Sequence, residues 1–215
     1  MKNALKFMRA LIVTALLMLA FRALTLTVYT VRGRVLEPRL ADGDRVLVNR
    51  WSYGLRTGGS PTFRYARWLG APVERGDLVV FNDPVDTLRP PARRKVMAYY
   101  CTGVPGDTVH IGGTALTVPG KRTMIRVTEA NMRLLAFLYN NYEGRRACVR
   151  NGKLYADGRQ TDYATFTIDY YWFSSSNPDD ADGSRRFGFV PETCVIGKVA
   201  VRLYGRKEIR FSGLE

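Results

Sequence analysis

The rhythm of apolar and polar positions changes three times along the chain. From Ala10 to Tyr29 the sequence reads ALIVTALLMLAFRALTLTVY, an almost unbroken apolar run preceded by Lys2, Lys6 and Arg9. As a helix it would span roughly 30 Å, the depth of one bilayer core. Such a run serves either as a cleaved secretion signal, with Ala10–Phe21 as its apolar centre, or as an uncleaved anchor. The cleavage sites are poor, because Met18 stands two residues before Ala20 and Phe21 two before Ala23. An anchor must instead hold Arg22 inside the span. A central arginine costs about 2.5–3.5 kcal/mol on insertion scales, less where its long side chain reaches the interface near Tyr29. A transmembrane anchor is the expectation. Charge does not orient it, since Arg32, Arg34, Arg39, Arg45 and Arg50 follow the span.

Beyond Tyr29 the period shortens to that of strands. Arg45–Val48, Asp77–Phe81 and Thr108–Ile111 are short runs rich in β-branched residues. Asp42-Gly43-Asp44, Arg75-Gly76-Asp77 and Pro105-Gly106-Asp107 place turn signals beside them. Asn151-Gly152 and Asp157-Gly158 bracket Lys153–Ala156 as a hairpin or meander. Further strands are expected over Val195–Leu203 and Glu208–Phe211. A helical period emerges once, where Thr128 offers an N-cap, Leu134, Leu135 and Leu138 repeat, and Gly144 stops the helix. Residues 57–73 read as a long loop whose Phe63, Tyr65, Trp68 and Leu69 suit either local packing or contact with a membrane interface.

Composition narrows the function. Of 215 residues, 46% are hydrophobic and 24% charged, which excludes a wholly disordered chain. The net charge of +14 favours anionic partners such as acidic headgroups. No helix-turn-helix, RRM or zinc-finger pattern accompanies it, so nucleic acid is not an expected partner. One histidine, His110, and three scattered cysteines, Cys101, Cys148 and Cys194, offer no metal-ligand spacing. No cofactor is expected.

Four blocks then carry a resemblance. GDRVLVNRWSYGLR (Gly43–Arg56), RGDLVVFNDP (Arg75–Pro84), VPGDTVHIGG (Val104–Gly113) and SRRFGFVPETCVIGKV (Ser184–Val199) follow the apolar segment in order. Together they resemble bacterial signal peptidase I over nearly the whole chain. The stretch Asn151–Trp172 is similar to the inserted domain of Bacteroidetes-type members. The resemblance implies a mainly β fold: a signal peptidase I-like core at 31–112 and 171–215, with a smaller inserted α+β subdomain at 113–170. It also implies an N-terminus and transmembrane anchor at 1–30. The protein would then sit in the bacterial inner membrane with its C-terminal domain facing the periplasm or outside. Its partners would be signal-peptide-bearing preproteins, membrane lipid and an active signal peptidase paralogue.

The family cleaves with a serine hydroxyl and a neutral lysine amine. Lysine is neutral near pH 7 only where burial depresses its pKa. In the serine block this chain reads Val35-Leu36-Glu37-Pro38-Arg39-Leu40, with Pro38 in register and Val35 at the nucleophile position. Six residues before Pro105, where the lysine belongs, stands Tyr99. A third block, Gly-Asp-Asn-x-x-x-Ser in the family, has Ser175, Ser176 and Ala181 at its glycine, aspartate and serine. Lys95, four residues before Tyr99, is roughly 13 Å from it along a strand, too far to substitute. Cys101 and His110 read as ordinary packed or surface residues. The expectation is a family member without its catalytic pair, with Leu36, Pro38 and Tyr99 lining a peptide groove. The alternatives are an active peptidase using displaced residues or a paralogue, and a basic module at the membrane surface.

Overall fold

A computed structural model describes residues 2–31, 36, 40–41, 43–57, 66–90, 93–176 and 183–203. Helix α1 (Lys2–Thr25) runs into strand β1 (Leu26–Thr30) without a loop. There follow β2 (Arg45–Asn49), β3 (Leu55–Thr57), β4 (Ala66–Trp68), β5 (Leu78–Asn82), β6 (Val96–Gly103), β7 (Thr108–Ile111) and β8 (Thr114–Thr117). Then come β9 (Met124–Arg126), α2 (Met132–Tyr142), β10 (Ala147–Arg150), β11 (Lys153–Ala156), β12 (Arg159–Gln160), β13 (Tyr163–Thr165) and β14 (Tyr170–Ser174). The short helix α3 (Ser184–Phe187), β15 (Val190–Pro191), a 3-10 turn at Glu192–Cys194 and β16 (Val195–Leu203) complete it.

Seven strands form one antiparallel sheet in the order β1-β2-β16-β5-β6-β14-β15. Period-2 alternation gives it two buried faces. Val79 and Phe81 of β5 join Tyr99 and Cys101 of β6 in one hydrophobic cluster, while Val80 joins Leu36, Val46 and Val48 in another. A third cluster gathers α2 (Leu135, Leu138, Tyr139) against Leu154 and Ala156 of β11, with Ile125, Phe166 and Trp172.

The Gly-Asp pairs turn out to be one device used three times. Gly43, Gly76 and Gly106 have φ of 90°, 85° and 91°, a region open to glycine at little cost. Each following aspartate folds back on the residue three before it. Asp44, Asp77 and Asp107 accept backbone N–H bonds from Ala41, Glu74 and Val104 at 2.9, 3.2 and 2.7 Å. A distant cation then meets each carboxylate: Arg202 at Asp44, Lys198 at Asp77 and Arg75 at Asp107. The turns thereby tie β16 to β2 and β5, and the turn before β5 to the turn before β7.

Four expectations change. The apolar run Ala10–Tyr29 is not one helix, because Thr27, Val28 and Tyr29 pair as β1 with Val48, Leu47 and Val46. Among the described residues no helix is long and apolar enough to cross a membrane. Helix α2 is capped at Asn131, not Thr128. The Asn131 side chain reaches back instead, accepting from Thr128 N–H and donating to the Arg126 carbonyl. Residues 57–73 are not all loop: β3 and β4 pair across it, with Leu55 opposite Trp68. Gly144, at φ 64°, does end α2. The Glu208–Phe211 strand, Phe63 and Tyr65 lie outside the described residues.

Candidate functional site

Strand β6 brings the Tyr99 position into the sheet. Tyr99 stands opposite Val79 of β5, and its neighbours Tyr100 and Cys101 stand opposite Ser174 and Phe173 of β14. The side chain is 6% exposed. Its ring lies 5.9 Å from that of Phe81 and 5.6 Å from that of Phe187, the latter edge-on at 74°. Phe81 in turn stacks on Phe173 at 4.6 Å. Tyr99 is thus part of a four-ring aromatic cluster, each pair contributing about 0.5–1.5 kcal/mol beyond area burial.

Phe187 reaches this cluster because α3 is fixed at both ends. Gly183 and Gly188 bracket it at φ 110° and 79°, and a Cβ on Gly183 would come within 2.7 Å of the Phe173 carbonyl. The Ser184 hydroxyl accepts the Phe173 N–H at 2.8 Å and is 1% exposed. The serine of this block is a structural clasp. Phe187 was visible in the sequence as part of SRRFGFV, but nothing there announced it as the partner of Tyr99.

The other expected groove residues separate. Leu36 is 1% exposed and belongs to the cluster with Val46, Val48 and Val80, on the sheet face opposite Tyr99. Leu36 and Tyr99 are therefore not brought together. Val35, Pro38 and Ala181 lie outside the described residues.

The displaced candidates are placed as follows. Lys95 is exposed one residue before β6. Lys121 and Lys198 are engaged by carboxylates, Glu192 at 2.9 Å and Asp77. Cys101 is fully buried, and burial pushes its thiol up to about 12, outweighing its contact with the Gly103 carbonyl. A thiol so raised holds little thiolate, the reactive form, at neutral pH. His110 is exposed on β7. Among the described residues no group of three or more His, Cys, Asp or Glu is placed to hold a metal ion.

Beside the cluster, Asp77 is a buried charge with full compensation. Burial alone would raise its pKa, but hydrogen bonds from Lys198, the Tyr53 hydroxyl at 2.8 Å and the Glu74 N–H carry it below the ordinary aspartate value. Arg67 of β4 braces the same region by donating to the carbonyls of Tyr53, Glu192 and Val195 at 2.9–3.0 Å.

Comparison with known proteins gives a consistent picture. The family model for signal peptidase, peptidase S26, matches residues 4–204. Signal peptidase IB of Staphylococcus aureus (strain MRSA252) is 25% identical over 230 residues, covering 98% of this chain and 95% of that protein. Signal peptidase I of Bacillus licheniformis is 28% identical over 122 residues, 56% of this chain and 54% of that protein.

Proposed function

The chain belongs to the signal peptidase S26 family, and from that membership we propose a membrane-anchored protein that holds signal-bearing preproteins without cutting them. The observation that carries this reading is Tyr99. At the position where the family's chemistry needs a lysine amine, a phenol packs between Phe81 and Phe187. Phenols ionise near pH 10 and are poor proton acceptors at neutral pH. Position 35 is valine, which has no nucleophilic atom. The scaffold devices, by contrast, are intact: all three Gly-Asp turns close and meet their cations.

In this account the apolar stretch of α1 is what holds the chain to the membrane, although among the described residues no helix is long and apolar enough to cross one. That stretch, Ala10–Thr25, leads directly into β1, the first strand of the sheet. The folded part therefore begins at the membrane surface, on the periplasmic or outer side. Trp68 and Leu69 on the β3–β4 hairpin are 65% and 91% exposed, which supports contact with the interface. Residues 113–170 form an inserted unit, supported by the α2 cluster they mostly supply. A preprotein would be held as an extended strand through main-chain hydrogen bonds.

The test is reinstallation. Purified full-length protein in detergent is given a reporter preprotein, beside a Val35→Ser/Tyr99→Lys variant checked for cooperative unfolding. An inert wild type that still retains the preprotein on a column, and a folded variant that gains slow cleavage at the signal junction, support the reading. Cleavage by the wild type ends it.

A further inference from the structure

The sheet β10-β11-β12 presents two unlike faces. Leu154 and Ala156 are buried in the α2 cluster, with Ala147 and Val149 packed against it. Successive strand residues point to opposite sides, so Cys148 and Arg150 project from the other face, where both are exposed, as is Arg146 one residue before β10. Tyr155 stands directly across from Cys148, and Lys153 directly across from Arg150. Like charges so paired repel, and among the described residues no ion pair engages Arg150 or Lys153.

Where this face meets the β10 edge and the end of α2 lies a half-open pocket of about 340 Å³ lined by Asn140, Arg146, Ala147, Cys148, Arg150, Tyr155 and Gly158. Its polar groups divide cleanly into used and available. Asn140 is spent on the backbone of Ala147, accepting its N–H and donating to its carbonyl at 2.8 Å. Asp157, the acid at the rim, accepts from Arg145 Nε at 2.8 Å and from the Arg146 N–H at 3.0 Å. What remains is donor-rich: two guanidinium groups and the Tyr155 hydroxyl.

We propose that this pocket binds a phosphate group carried on a small organic head. Arg146 and Arg150 leave the backbone roughly 13 Å apart, four strand residues, so their forks approach a ligand from two sides. One arginine fork saturates a planar carboxylate, whereas a tetrahedral phosphate offers oxygens to two forks and a hydroxyl together. The volume lies near the lower end of small-molecule sites, which run roughly 300–1,000 Å³, and exceeds what a bare phosphate fills. The head is either a lipid headgroup or a soluble phosphoester, and the pocket chemistry is the same for both.

Cys148 supplies the readout, because it is exposed inside the pocket while Cys101 and Cys194 are buried. The full-length protein is reconstituted in nanodiscs, and alkylation of Cys148 by a small neutral maleimide is timed at constant ionic strength. Phosphatidylcholine discs are used with and without inorganic phosphate or glycerol phosphate, and phosphatidylglycerol discs without either. Saturable slowing of fivefold or more by the soluble phosphates identifies a soluble ligand. The same slowing in phosphatidylglycerol discs identifies a headgroup. In either case an Arg146→Gln/Arg150→Gln variant must lose the protection while unfolding at the wild-type temperature. Labelling that none of these probes slows overturns the proposal, as does protection that persists in the double variant.

Discussion

The ring of Tyr99 meets that of Phe187 edge-on, with centroids 5.6 Å apart. The contact joins the middle of β6 to α3, two segments 88 residues apart in the chain. On the proposed reading, it packs an aromatic pair at the position expected to hold the family's proton-accepting lysine amine. Phe187 is half-buried, so Phe187→Ala should cost less than the about 3–5 kcal/mol of a fully buried phenylalanine, and less again if Tyr99 turns into the space. Chemical denaturation gives the size. Quenching of a fluorescent signal peptide reports whether the opened space admits a substrate side chain.

Asp77 sets a pH dependence. Its folded pKa is lowered, so its contribution is fully present above the unfolded value and is lost as the pH falls through the folded one. Stability should drop as the pH goes below about 4. Asp77→Asn should cost about 1–3 kcal/mol at neutral pH, because it leaves a buried site facing Lys198 without its counter-charge. The part of the acid-limb slope that belongs to Asp77 should vanish in the same variant. Urea melts between pH 3 and 7 measure both effects.

Gly197 is a point of close approach between strands. A Cβ there would sit 2.4 Å from the Asn49 carbonyl oxygen and 3.0 Å from the Arg50 Cα. It lies at the irregularity where β16 shifts register against β5. Gly197→Ala should destabilise by about 1–3 kcal/mol, as overpacking does. Gly106→Ala meets no atom within 4 Å and carries only the backbone strain of a positive φ. The difference between their melting temperatures tests the steric argument.

The cysteines divide by access. One thiol per native chain, Cys148, should react with maleimide at pH 7.5, and all three should react in denaturant. Burial holds the Cys101 thiol near 12, so Cys101→Ala should change neither native labelling nor any peptidase readout. Intact mass measurement of labelled protein gives the count.

Legibility in the sequence followed the range of the interaction. The Gly-Asp turns were plain, since each is closed by contacts within four residues, and β2, β5 and β7 stood beside them; β11 and β16 were legible from their own runs. The pairing of β1 with β2 was hidden, because Thr27, Val28 and Tyr29 extend an apolar run and only the partner strand reveals their role. Likewise α2 begins after Asn131 rather than at Thr128, and the Asn131 side chain's bonds back to the Thr128 N–H and the Arg126 carbonyl are ones no spacing rule announces. At the candidate site, Tyr99 was picked out by counting from Pro105, and its packing against Phe81 and Phe187 is what the structure adds. That Leu36 packs on the opposite sheet face follows from β alternation across three strands and was beyond local pattern.

The claim that this member holds preproteins without cutting them reduces to one experiment. Wild-type protein in detergent is incubated overnight with a stoichiometric reporter preprotein, and both are weighed by mass spectrometry after size-exclusion chromatography. The account predicts co-elution with the preprotein at full mass. A product shortened at its signal junction would contradict it, as would a preprotein that elutes alone.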